Sequence, residues 1–249
     1  MKFGAAIETG NTGLWYGRLL GLPGTHARAG SLDELLNELK QETAYHDMWL
    51  RRHGEPAINL DDVTVEIVEF VDDVELLGES GGMVALFESD LEQPTESHIQ
   101  QCIKYMSYQR IDLLKLISGL SPEQLNHTPP SKKRNIIQIL GHICNAEEWY
   151  ISRLGPEAEK TYEQNLGITV EQADKLPIDE RMKLVRASCV KMLQEVIPEK
   201  KGVFTRAEYT SYPEEQWTAG KVLRRFLEHE REHICNIRWY LGRDIRGFP

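Results

Sequence analysis

The segment WTAGKVLRRFLEHEREHICNIRWYLG, residues 217–242, decides the fold of the second part of the chain. Its core-type residues recur at three- and four-residue steps, which is the spacing of one face of an α-helix. That face includes two histidines and consists of Val222, Phe226, His229, His233, Ile237 and Tyr240. His229 and His233 are four residues apart, so their rings project from the same face one turn apart. Polar rings in a core stripe need partners, and two neutral imidazoles at this spacing can bind one metal ion.

A second inward stripe lies on a helix predicted over residues 132–154 and consists of Ile136, Ile139, His142, Ala146 and Trp149. Helices in a bundle bring such stripes face to face, so we expect His142 to meet the histidine pair across the core. Three nitrogen ligands leave a fourth position open, which is typical of catalytic metal sites. The alternative is three satisfied core histidines, because short histidine motifs often occur without a metal.

Four long helices are predicted beyond residue 90, with prolines and glycines near their ends. They cover residues 95–120, 132–154, 178–196 and 218–241. The connection between the second and third helices exceeds 20 residues. This pattern predicts an all-α domain over residues 89–249, built as a four-helix bundle with a long crossover.

The first 88 residues have a shorter, β-rich pattern. Strands are predicted over residues 1–9, 14–20, 63–71 and 83–87, and a capping box at Ser31 and Glu34 starts a helix that reaches about residue 52. The sequence therefore predicts an α+β domain of order β-β-α-β-β over residues 1–88.

Charge divides the chain in the same place. Residues 1–88 contain 6 Lys and Arg against 16 Asp and Glu, whereas residues 89–249 contain 23 of each kind. An acidic domain repels phosphate backbones, so we expect no nucleic-acid partner.

The apolar runs are shorter than the roughly 18–20 residues of a membrane span, and no signal-peptide pattern is found at the start. Four widely spaced cysteines complete the expectation of a cytoplasmic protein without a membrane partner.

The segment IIQILGHICNAEEWYISRL, residues 136–154, together with residues 217–242, resembles the DinB-like superfamily of metal-binding four-helix bundles, also called YfiT-like. In that superfamily the second helix carries a histidine before acidic and aromatic residues, and the last helix carries His-x-x-x-His. The resemblance covers residues from about 90 to 245 and implies that His142, His229 and His233 bind a divalent metal, zinc or nickel. This chain has Cys235-Asn236 where the superfamily often has Gly-Gln, so the pocket differs on that side.

The DinB-like resemblance also implies a function and partners. The best-characterised members are thiol-dependent transferases or isomerases, in which the metal binds a low-molecular-weight thiol and lowers its pKa so that the thiolate attacks. A small-molecule substrate or thiol is therefore the expected partner, and a homodimer is an expectation from the family.

The segment GLPGTHARAGSLDELLNEL, residues 21–39, resembles the HicB-like family, in which a Leu-Pro-Gly turn precedes an acidic, Leu-rich helix. This resemblance covers roughly residues 1–70 and implies a ribonuclease-H-like sheet. Some members are antitoxins that bind a toxin, so it also implies a protein partner. The second functional hypothesis is therefore a non-catalytic, metal-stabilised bundle whose first domain binds that partner.

A third hypothesis comes from residues 229–233, which read HEREH and match the HExxH signature of zinc peptidases, with Glu230 as general base. The downstream ligand is absent, because Asn236 and Trp239 occupy the positions of the Gly and His in HxxGxxH. Glu230 remains a candidate acid, base or partner of a ligand. The alternative is a solvated helix face, since one residue turns it about 100° from His229.

Trp149 and Tyr240 each follow a triad histidine by seven residues and share its face. We predict that they line the pocket, with ordinary aromatic core packing as the alternative. Cys144 and Cys235 follow a histidine by two residues, which turns them away, and they are predicted to be buried thiols. The histidines without ligand spacing are predicted to be surface or loop residues: His26, His46, His53, His98 and His127.

Overall fold

The structure, a computed structural model, describes residues 1–58, 60–130 and 132–248. The described chain divides into two compact units. The first contains Met1–Glu92, Arg206–Gln216 and Phe248, and the second contains Gln93–Thr205 and Trp217–Gly247. The segment Arg206–Gln216 thus belongs to the first unit although the sequence around it belongs to the second.

The first unit contains a four-stranded mixed sheet. Its strands are β1 (Lys2–Gly10), β2 (Trp15–Leu19), β3 (Ala27–Ala29) and β4 (Thr64–Val74), and their order across the sheet is β3-β2-β1-β4. Strand β1 pairs antiparallel with β2 and parallel with β4. A parallel pair needs a long crossover connection, and helix α1 (Leu32–Arg52) lies within it.

Helix α1 covers one face of the sheet. It begins after Ser31, whose hydroxyl accepts a hydrogen bond from the backbone N–H of Glu34 at 3.3 Å. Leu35 and Leu39 are fully buried on the helix and belong to the same core cluster as β1 and β2. Gly17 makes this close packing possible, because a Cβ there would lie only 3.0 Å from Leu39 Cδ1. One amphipathic helix therefore closes the core of the sheet.

The predicted order β-β-α-β-β is wrong for the first unit, which has the order β-β-β-α-β. Residues 83–87 do not form a strand, because carboxylates take the backbone N–H groups that a strand would pair. Glu215 accepts from Val84 at 3.0 Å, Glu8 from Ala85 at 2.7 Å, and Asp90 from Phe87 at 3.0 Å. The additional strand is β3, whose three residues are too few to show an alternating pattern.

Leu35→Ala should destabilise the first unit by about 2–5 kcal/mol, because truncation leaves a cavity between α1 and the sheet. The measurement is urea-induced unfolding of the full chain, followed by circular dichroism. Met48 lies on the same helix with 48% of its surface exposed, so Met48→Ala is the matched control. Equal unfolding midpoints for the two variants would contradict this account of the core.

The second unit is helical. Its helices are α2 (Glu96–Ile117), α3 (Pro122–Asn126), α4 (Ile136–Ser152), α5 (Pro156–Leu166), α6 (Val170–Ala173), α7 (Ile178–Glu195) and α8 (Ala219–Tyr240). The four long helices α2, α4, α7 and α8 each pack against two others of this group. The shorter α5 and α6 lie in the connection between α4 and α7, and α5 packs against both. Over residues 1–58, 60–130 and 132–248, no helix has the length and apolar character that a membrane span requires.

Three of the four long helices begin at a capping side chain. The side chains of Thr95, Asn135 and Thr218 accept hydrogen bonds from backbone N–H groups in the first turns of α2, α4 and α8. Helix α4 begins at Ile136, four residues later than predicted, because Asn135 and Gln138 form a reciprocal capping box there. These caps set where α4 and α8 begin, and with it the positions of their histidines along the helices.

Candidate metal centre

Three histidines from two helices converge in the second unit. His142 projects from α4, and His229 and His233 project from α8. The Nε2 atom of His229 lies 3.3 Å from that of His142 and 3.0 Å from that of His233. One ring nitrogen of each lies within 4.8 Å of the others. The packing of α4 on α8 thus brings together the two stripes that the sequence contains.

The surroundings favour the neutral form of His142 and His229. Burial, together with the positive charges that His233 and Arg134 can carry, lowers the pKa of His142 to about 3. Burial also lowers the pKa of His229 well below its ordinary value, with His233 and Arg225 adding to the effect. A neutral imidazole has a nitrogen lone pair to offer, which is the form that binds a metal.

The donor set fits a divalent cation. Three nitrogens bound to one tetrahedral zinc at about 2.0–2.1 Å lie roughly 3.4 Å from one another, close to the two separations observed. The rings face each other through their Nε2 atoms, and neutral imidazoles cannot satisfy three converging nitrogens with their own protons. In the part of the chain that the structure describes, no other group of three His, Cys, Asp or Glu side chains has ligand atoms this close.

Tyr150 is a neighbour of the site that the sequence analysis missed. Its ring lies 5.8 Å from that of His229 at nearly a right angle, and Arg225 Nη2 donates to its hydroxyl at 3.4 Å. Tyr150 follows His142 by eight residues, and the i+8 position also lies on the same helix face, so extending the stripe by one residue would have found it.

The predicted pocket residues have defined contacts. Trp149 packs edge-on against Trp217 with ring centroids 5.0 Å apart and stacks under the guanidinium of Arg153. The hydroxyl of Tyr240 donates to the backbone carbonyl of Arg134 at 2.9 Å, which joins the end of α8 to the residue before the α4 cap. A role of either ring in lining a pocket stays a prediction.

Glu230 is buried with only 1% of its surface exposed, so the alternative of a solvated helix face is wrong. The reason is that α8 packs against α2 as well as α4, which buries a second face of the helix. Arg110 Nε donates to Glu230 Oε1 and Arg186 Nη2 donates to Oε2, each at 2.7 Å. Burial acts to raise the pKa of Glu230, but the two guanidinium groups outweigh it and lower that pKa.

These contacts weaken the peptidase hypothesis. A general base needs a carboxylate oxygen directed at the reacting water, whereas both oxygens of Glu230 are held by arginines. A catalytic role for Glu230 stays a prediction. The contacts that the structure shows are ion pairs with Arg110 and Arg186.

Two other predictions on single residues are corrected. His46 was predicted to be a surface or loop residue, but it is buried on helix α1 against the ring of Trp49. His26 lies in the loop between β2 and β3, as predicted, and is buried there against the ring of Tyr16. Cys235 is half-buried, and Arg231 Nη1 donates to its sulfur at 2.8 Å. Cys144 is buried as predicted, and burial raises its pKa to about 12.

His142→Ala and His233→Ala should each reduce the bound zinc or nickel from about one equivalent to less than about 0.1 per chain, because two imidazoles bind much more weakly than three. The measurement is elemental analysis of protein purified without a histidine tag. His127 is exposed, so His127→Ala is the control and should retain its metal. A wild-type protein that stays metal-free after supplementation would contradict the site.

Comparison with known proteins agrees with this geometry. A sequence profile of the DinB superfamily matches residues 106–235, a stretch that spans more than half of the chain and contains all three histidines. No curated protein and no solved structure matches the chain significantly. Proteins of the DinB superfamily bind metals, and the three-histidine group is compatible with that property. The chain belongs to the DinB superfamily.

Proposed function

We propose that the second unit is a divalent-metal-dependent, YfiT-like enzyme domain, a thiol-dependent transferase or isomerase. The observation that carries the proposal is the convergence of three histidine ring nitrogens within coordinating distance. Three protein ligands are typical of catalytic zinc sites, where the fourth position binds water or substrate. A purely structural zinc site has four protein ligands as a rule, and three are found together among the described residues.

In this proposal His142, His229 and His233 hold zinc or nickel, since imidazole ligands suit both metals. The bound ion would lower the pKa of a low-molecular-weight thiol and so provide a thiolate at neutral pH. Tyr150 packs on the ring of His229 and excludes water from that side, and Arg225 holds the Tyr150 hydroxyl. In a transfer reaction the thiolate sulfur bonds to an electrophilic carbon of the substrate, and the leaving group departs with the bonding electrons.

The alternative is a non-catalytic, metal-stabilised bundle joined to a HicB-like module that binds a protein partner. The family match does not extend into residues 1–105, so the HicB-like assignment rests on the sequence pattern of residues 21–39. This alternative predicts a metal whose removal lowers the unfolding temperature without any associated turnover. A homodimer is compatible with both functions and is measured by light scattering.

The test is thiol conjugation by the metal-loaded full chain. We expect turnover with at least one thiol from a panel of cysteine, glutathione, bacillithiol and mycothiol against a haloarene or haloalkane electrophile. His142→Ala should lower the rate at least about 100-fold, because loss of a metal ligand exceeds the 10–100-fold typical of an outer-shell change. His127→Ala should leave the rate unchanged.

Two outcomes would contradict the enzyme proposal. One is a fully metal-loaded chain that shows no turnover across the panel, which supports the non-catalytic alternative. The other is turnover that persists at the same rate in His142→Ala. Peptide cleavage that stops on chelation and in Glu230→Gln would favour the peptidase instead.

A further inference from the structure

A cluster of two arginines and two glutamates lies in the core of the second unit, with one residue from each long helix. Arg110 comes from α2, Glu147 from α4, Arg186 from α7 and Glu230 from α8. No side chain of this Arg–Glu cluster exposes more than 11% of its surface. The formal charges cancel, so the cluster is a closed ionic network and not a binding site for a free ion.

Each glutamate in the cluster is bridged by both arginines. Arg110 donates from Nε to Glu230 at 2.7 Å and from Nη2 to Glu147 at 2.8 Å. Arg186 donates from Nη2 to Glu230 at 2.7 Å and from Nε to Glu147 at 3.3 Å, and its Nη2 also bonds Glu147 Oε1. Glu147 on α4 and Glu230 on α8 are therefore held in a defined relative position by two rigid guanidinium groups.

The arginines are in turn fixed to the backbone of each other's helix. Arg110 Nη1 on α2 donates to the carbonyl of Met182 on α7 at 3.0 Å. Arg186 Nη1 on α7 donates to the carbonyl of Met106 on α2 at 3.1 Å. These reciprocal bonds join α2 to α7, and the glutamates attach α4 and α8 to that pair.

Helices α4 and α8, which contribute the two glutamates, also contain the three histidines of the proposed metal site. Glu230 follows His229 directly, and Glu147 lies five residues after His142. A shift of α4 along α8 would therefore change the Arg–Glu bonds and the Nε2 separations together. Metal ligation tolerates deviations of only about 0.2 Å, whereas an apolar core accepts many repackings. The directional hydrogen bonds of the Arg–Glu cluster therefore restrict the position of α4 along α8 more tightly than apolar packing does.

Stability alone does not account for the cluster. Buried ion pairs are often replaced by apolar residues of similar volume without loss of stability, and fixing a register is their best-attested role. We propose that Arg110, Glu147, Arg186 and Glu230 are positioning residues that hold α4 and α8 in the register at which His142 reaches His229 and His233. This inference rests on the proposed metal site.

The test compares zinc affinities of the full apo chain by competition with a chromophoric chelator. Glu147→Gln and Glu230→Gln keep the shape of each side chain and remove its charge. Both should weaken zinc binding about 10–100-fold, as changes to outer-shell partners do. The control is Glu148→Gln on the same helix, because Glu148 binds Arg181 and Tyr162 and takes no part in the cluster. The zinc affinity of the Glu148→Gln variant should stay within about twofold of that of the wild-type chain.

Arg186→Lys keeps the positive charge but loses the fork that bridges both glutamates, so it reports on geometry even where a charge-removing variant fails to fold. It should weaken zinc binding at least about tenfold and alter the visible spectrum of the cobalt-substituted protein. Unchanged affinity in the cluster variants, or an equal loss in Glu148→Gln, would overturn the positioning role. A wild-type chain that binds no zinc would overturn the metal site itself, which separates the two failures.

Discussion

The contact between α4 and α8 is the constraint on which the second unit depends. It places three imidazoles in a helical core where apolar side chains would otherwise pack, and buried polar rings are costly unless they have partners. The Nε2 atom of His229 lies 3.3 Å from that of His142 and 3.0 Å from that of His233, so the three rings are polar partners of one another. Burial also lowers the pKa values of His142 and His229, which favours their neutral form. The packing that makes the site costly therefore also makes it able to bind a cation.

Helix α8 differs from an ordinary amphipathic helix because charged residues are buried on several of its faces. Lys221 is fully buried with its ammonium over the ring of Trp217, and Glu228 accepts from Arg224 and Arg225. Lys221 thus has an aromatic ring beside its charge and Glu228 has two opposite charges, which offsets the cost of burying a charge in a core of low dielectric. Glu230, which follows His229 directly, is likewise ion-paired and not solvated.

The acidic excess of the first unit is partly structural. Glu8 is fully buried and pairs with Arg18, and its second oxygen accepts from the backbone N–H of Ala85. The carboxylate of Glu215, more than 100 residues away in the sequence, accepts a hydrogen bond from the backbone N–H of Val84. Carboxylates thus satisfy backbone groups that a longer sheet would have paired, so net charge alone overstates how much negative surface this unit presents.

The sequence by itself determined the long helices, the β1–β2 hairpin and the two histidine stripes, because periodicity, caps and turns act between residues close together in the chain. Only the tertiary structure decided which polar groups meet. Arg110 and Glu230 are separated by 120 residues, and Arg110 and Glu147 by 37, so no local pattern connects them. Two departures from the sequence-based expectation have the same cause: residues 83–87 do not form the predicted strand, and Glu230 is buried. Their partners come from distant segments, and the free energy of burying a charge depends on those partners.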